Sequence, residues 1–64
     1  MYRNIFAEQA RNRLTDQKMA DYLAMSRMTY HKKKHSGYFS VSEAKAMCKL
    51  FGVTFEYLFA DDGN

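Results

Sequence analysis

Residues 15–34, TDQKMADYLAMSRMTYHKKK, constrain the fold more tightly than any other stretch of this 64-residue chain. They predict two short helices around a tight bend at Ala24-Met25. The first, about 16–23, sets Met19, Ala20 and Leu23 on one stripe, the spacing of a core-facing helical side. Ser26 is a suitable N-cap for the second, about 27–34. Met25 before it and Tyr30 at the fourth helical position can form a hydrophobic staple that sets the angle at which the chain turns in. Arg27, His31 and Lys32 then lie on the open side of that second helix.

The rest of the chain supplies a core that holds this pair. Sixty-four residues allow one domain. A chain this short buries only about 60% of the surface its unfolded form exposes, so its core has little to spare. At 47% hydrophobic and 16% aromatic it is too apolar for a disordered segment. Proline is absent and no strand-like alternation occurs, so the expected fold is all-α. Cys48 is the only cysteine, which rules out an internal disulfide; with Ala44, Met47 and Phe51 at helical spacing it reads as a small core hydrophobe. No apolar run of membrane-spanning length and no signal-peptide pattern occurs, so an intracellular protein is expected.

Five helices are expected in order, at about 4–13, 16–23, 27–34, 41–51 and 55–59, followed by a polar, frayed tail at 61–64. Asn4 is the expected cap of the first, whose stripe is Ile5, Phe6, Ala10 and Leu14. Thr15 caps the second, with Leu14 and Met19 as its staple and Asp16 favourably placed against the helix dipole. In the third, Tyr30 faces the core and Lys33 buries its stem while exposing its ammonium. Gly37 provides a left-handed end, and Tyr38 and Phe39 pack back on the core. Ser40-Val41-Ser42-Glu43 matches a capping box, Gly52 closes the fourth helix, and Thr54 caps the last.

Charge is unevenly spread. The net charge is only +3, yet residues 22–42 contain no acidic residue while holding Arg27, Lys32, Lys33, Lys34, His31 and His35. A focused positive field of this kind attracts a polyanion. A capped helix that is basic on its open side matches the size of a DNA major groove. In that setting Arg27 can bond guanine in bidentate fashion, Met28 can pack on a thymine methyl, and His31 and Lys32 can reach further bases. Arg13 (or Arg11), Gln17, Ser26, Thr29, Lys34 and the Tyr38 hydroxyl are candidates for phosphate contacts, with Asp16 pointing away from the backbone. Groupings suited to an enzyme are mostly missing: no carboxylate pair sits in a visible apolar setting, and no phosphate-cradling glycine loop occurs. His31 and His35 share a helical face, but the cations around them oppose a metal ion, and no cofactor or small-molecule substrate is indicated.

The motifs NRLTDQKMADYLAMSRMTYHKKK and FSVSEAKAMCKLFGVTFEYLF resemble the phage-repressor class of helix-turn-helix proteins, the Cro/cI-like or XRE family, over roughly residues 12–59. Leu14-Thr15 resembles the family's opening into the first helix of the motif. Ala20 resembles its buried alanine, and the run from Leu50-Phe51-Gly52-Val53-Thr54 to Leu58-Phe59 resembles its closing segment. The chain departs from the pattern at three places. Ala24 stands where glycine is common in the bend. Asp16 stands where a glutamine often grips phosphate, and Lys33-Lys34 stand where a hydrophobe and a glutamate are usual. The resemblance implies a five-helix, lambda-repressor-like DNA-binding domain with its helix-turn-helix at about 16–34. It further implies a bacterial or phage transcriptional regulator of the cytoplasm or nucleoid, repressing by operator occupancy. Such proteins usually act as homodimers on palindromic double-stranded DNA; Phe55, Tyr57 and Phe59 are the residues expected to form the dimer surface. Two other functions remain open: a protein-interaction module or inhibitor built on the same fold, and a nonspecific nucleic-acid binder.

Overall fold

Four helices begin where a hydroxyl side chain meets the backbone. In the computed structural model, which describes residues 2–60, the helices are α1 (Arg3–Arg11), α2 (Asp16–Tyr22), α3 (Arg27–Ser36), α4 (Val41–Phe51) and α5 (Phe55–Leu58). Thr15, Ser26, Ser40 and Thr54 accept hydrogen bonds from the amides of Lys18, Thr29, Glu43 and Tyr57. Each satisfies a donor that the helix itself leaves orphaned, a contribution of about 1 kcal/mol. Ser40 and Glu43 complete the capping box in both directions.

The exception is α1. Its N-cap position is Tyr2, with no side-chain cap. Asn4, expected as the cap, lies inside the helix and donates from Nδ2 to the Tyr57 carbonyl at 2.7 Å, tying α5 to α1.

Three of the connections share one device. At Arg13, Ala24 and Gly52 the backbone turns left-handed, with φ of 55°, 57° and 69°. The next amide in each case reaches back to close the preceding helix: Leu14 to Gln9, Met25 to Ala20 and Val53 to Cys48, at 2.8, 2.9 and 3.1 Å. Leu14, Met25 and Val53 pack against the core, and the residue after each is the capping hydroxyl of the next helix. A left-handed residue, an apolar residue and a hydroxyl therefore end one helix and start another within three positions. Gly37 ends α3 at φ 82°.

These turns correct several boundaries. α1 stops at Arg11 because Arg13 is already left-handed; α2 stops at Tyr22 and α5 at Leu58; α3 continues to Ser36. The expected tail at 61–64 lies outside the described residues.

α2 packs on α3, α4 on α5, and α5 returns to α1, giving an all-α five-helix bundle of 29 × 22 × 21 Å with no strand among the described residues. Ile5, Met19, Ala20, Tyr30, Met47 and Leu58 are fully buried at its centre. Burial of the larger aliphatic side chains among them, Ile5, Met19, Met47 and Leu58, stabilises by about 1.5–3 kcal/mol each. Phe39 bridges the Tyr30 and Phe59 rings, at centroid distances of 5.9 and 6.1 Å, and Phe59 meets Tyr2 edge-on at 5.3 Å. Tyr38, expected to pack with Phe39, is instead exposed, and so is Ala10 of the expected α1 stripe. The buried positions of α1 are Ile5, Glu8 and Gln9. Among the described residues no helix is long and apolar enough to cross a membrane.

Candidate nucleic-acid interface

The seat of α3 is polar where the sequence suggested apolar packing. Lys34 is only 5% exposed. Its Nζ donates to Asp16 Oδ1 at 2.6 Å and to Gln9 Oε1 at 3.4 Å, and sits 4.3 Å above the centre of the Phe6 ring. Gln9 Oε1 also receives the Tyr30 hydroxyl, while Gln9 Nε2 donates to the Leu14 carbonyl and to Asp16 Oδ1 at 3.0 and 3.1 Å. One carboxylate in the first turn of α2 is thus held by α1 and α3 together. No buried side-chain nitrogen or oxygen among the described residues lacks a partner, the condition under which a buried polar network is tolerable.

The electrostatics follow from this geometry. Burial alone would raise the Asp16 pKa. Hydrogen bonds from Lys34, Gln9 and His31, with the Lys34 charge, outweigh it and bring it from 3.8 to about 2. Burial, then the nearby Asp16 charge, pushes the Tyr30 phenol far above its ordinary range. Glu43 is held below the usual carboxylate range, first by the Ser40 amide and then, against a burial penalty, by Lys33. Lys33 Nζ lies 3.0 and 3.1 Å from the two Glu43 oxygens.

Neither lysine therefore takes its expected role. Lys33 does not project a free ammonium but pairs with α4. Lys34, expected at phosphate, is withdrawn into the core. Asp16, expected to point away from the open face, turns one oxygen inward to the Lys34 ammonium and the other to His31 at the edge of that face.

The opposite side of α3 is open. Arg27, Met28, Thr29, His31 and Lys32 are all exposed, Met28 by 68%. Arg27 and Lys32 have no carboxylate within ion-pair distance among the described residues. His31 Nδ1 lies 3.2 Å from Asp16 Oδ2, and its ring lies against that of His35 at 4.4 Å. The Ser26 hydroxyl donates to Thr29 Oγ1 at 2.8 Å, so these two candidate phosphate ligands first satisfy each other. Gln17 is exposed and donates to Asp21 at 2.9 Å; Arg13 and Tyr38 are exposed as well.

The three aromatic residues expected at a dimer surface separate. Phe55 is 56% exposed and stacks on Phe59, which itself packs against the core. The Tyr57 hydroxyl donates to buried Glu8 at 2.9 Å, which raises the pKa of the phenol.

Sequence reasoning missed Glu8, Gln9 and the burial of Lys34. The contacts that bury them, Lys34 with Asp16 and Gln9, Tyr30 with Gln9 and Tyr57 with Glu8, span 18 to 49 positions, so no local pattern announces them. The described residues enclose no pocket and no cluster of three His, Cys, Asp or Glu that could hold a metal ion. Comparisons with protein-family models, curated proteins and solved structures found no match.

Proposed function

We propose that this chain binds double-stranded DNA sequence-specifically through α3 and acts as a small repressor by occupying its operator. One observation carries the reading: Arg27, Met28 and Lys32 lie exposed together on a helix whose other side is anchored by fully buried Tyr30 and by Lys34. The neighbouring carboxylates, Asp16 and Glu43, are already neutralised by Lys34 and Lys33, so they do not offset the open cations. On this reading α2, the left-handed bend at Ala24 and α3 form a lambda-repressor-like helix-turn-helix. The N-terminal half of α3 enters the major groove, where recognition helices meet base edges.

Arg27 then pairs with a guanine, Lys32 with a second base or a phosphate, and Met28 with a thymine methyl. Arg13, Gln17, Ser26, Thr29 and Tyr38 are candidates for the backbone contacts that set register. A single small recognition module covers only about 600–1,000 Å². Pairing of two copies over half-sites about 34–36 Å apart would raise affinity greatly, with exposed Phe55 and Tyr57 as candidate contacts.

Selection from a randomised duplex pool at two salt concentrations tests the proposal. It expects an enriched, palindromic site and an affinity that falls with salt. Affinity without enrichment would reduce the function to nonspecific binding, and absence of binding would favour a protein partner. Arg27→Ala is expected to lose preference at one base pair by about 1–3 kcal/mol. Equal weakening on every sequence would refute its role as a base reader.

A further inference from the structure

His31 stands between a fixed carboxylate and solvent. Asp16 Oδ2 lies 3.2 Å from its Nδ1, and 55% of its side chain is exposed. The other carboxylate oxygen is held by Lys34 and Gln9, so Asp16 cannot swing away without releasing a buried ammonium. Held in that way, Asp16 is ionised throughout the range near pH 6.5 where imidazoles ordinarily titrate. An ionised carboxylate only accepts hydrogen bonds, so His31 Nδ1 must be the donor. A neutral imidazole carries one proton, which leaves Nε2 bare. Protonation places a hydrogen there and turns an acceptor into a cationic donor without moving the ring.

We propose that His31 is a proton-linked phosphate contact: its bare Nε2 disfavours an anionic oxygen when neutral, and the same atom donates to a DNA phosphate when protonated. The proposal rests on the duplex-DNA reading and deepens it, because a residue expected to read a base becomes a pH-dependent backbone contact. The charged and titratable groups around the ring are Asp16 from α2 and, from α3 itself, Arg27 one turn earlier, His35 one turn later, Lys34 and Lys32. The Lys34 ammonium is engaged by Asp16, and Lys32 adjoins along the helix. His35, tilted against the His31 ring at 4.4 Å and edge-on to Phe6 at 5.5 Å, is the second imidazole on this face, so its contribution must be separated.

Two measurements decide the matter. Nitrogen NMR of the imidazoles in the free protein is expected to find neutral His31 in the Nδ1–H form. The Asp16→Ala/Lys34→Met double variant, which removes the acceptor without stranding a charge, should shift it toward the Nε2–H form. Fluorescence anisotropy on a duplex bearing the enriched site, at constant salt, is expected to show affinity rising about 3- to 10-fold from about pH 7.5 to about pH 5.5. His31→Gln should abolish that rise, and His35→Gln should retain most of it, with folding of each variant verified by far-UV circular dichroism. A neutral His31 in the Nε2–H form, or an undiminished pH dependence in His31→Gln, overturns the proposal while leaving the DNA reading intact. Failure of the wild-type protein to bind any duplex at any pH overturns both, and the NMR result then still reports the tautomer.

Discussion

Replacing Asp16 with alanine and Lys34 with methionine should cost unequal amounts, and the inequality can be worked from burial. The Lys34 side chain is 6% exposed and that of Asp16 22%. Asp16→Ala leaves a buried ammonium whose remaining hydrogen bond is to Gln9 Oε1 at 3.4 Å. Stranding one member of a buried pair costs about 3–5 kcal/mol, and the partial exposure of Asp16 places the expected value near 3. Lys34→Met leaves a partly solvated carboxylate that still has Gln9 at 3.1 Å and His31 at 3.2 Å. It forfeits one charged hydrogen bond, about 1.5–3 kcal/mol, while the methionine stem keeps its packing on Phe6, so about 1.5 kcal/mol is expected. Against a total stability of roughly 3–10 kcal/mol for a chain this size, both losses are large. The double variant leaves neither charge stranded and should fall short of the sum of the singles by more than about 1 kcal/mol. Urea unfolding followed by far-UV circular dichroism measures all three. Equal single costs, or strict additivity, would refute the reasoning from burial.

The same pair sets an acid dependence. The folded-state pKa of Asp16 lies below its unfolded value, so its stabilisation is fully present above about pH 4 and is lost as pH falls through about 2. A drop from 3.8 to about 2 corresponds to about 2 kcal/mol, which the double variant should not lose over that window; the loss from Glu43 is common to both proteins. Ala24→Gly should stabilise by about 0.5–1 kcal/mol: relief of a left-handed alanine, about 1–2 kcal/mol, exceeds the added freedom of the unfolded chain. A neutral or negative result in thermal denaturation would mean that the bend carries no strain. Gly37→Ala should cost more than Gly52→Ala. Both are left-handed, but a Cβ at Gly37 would come within 2.9 Å of the Tyr2 ring while one at Gly52 meets nothing within 4 Å. Comparison of the two melting temperatures checks that order.

Much of the fold was legible because its signals are local. Thr15, Ser26, Ser40 and Thr54 cap amides three residues ahead, and this needs nothing from the rest of the chain. Gly37 and Gly52 announce their left-handed turns because glycine carries no Cβ penalty. At Ala24 the bend was legible but its left-handed backbone was not, and the turn at Arg13 was hidden, since neither residue advertises that conformation; the end of the first helix was accordingly placed two residues too late. On the candidate face, the exposure of Arg27, Met28 and Lys32 follows from the burial of Tyr30 and helical periodicity.

The sequence by itself determined five helices, the side-chain caps of the last four, the bend between α2 and α3, and which side of α3 carries the free cations. Only the tertiary structure decided that Lys34 goes inside while Lys33 turns to Glu43, and that Asp16 joins three helices. Helix periodicity puts adjacent lysines about 100° apart on the cylinder and leaves both near the edge of the apolar stripe. Which one enters depends on whether a carboxylate and an amide from distant helices wait there, and Asp16 and Gln9 lie 18 and 25 positions away along the chain.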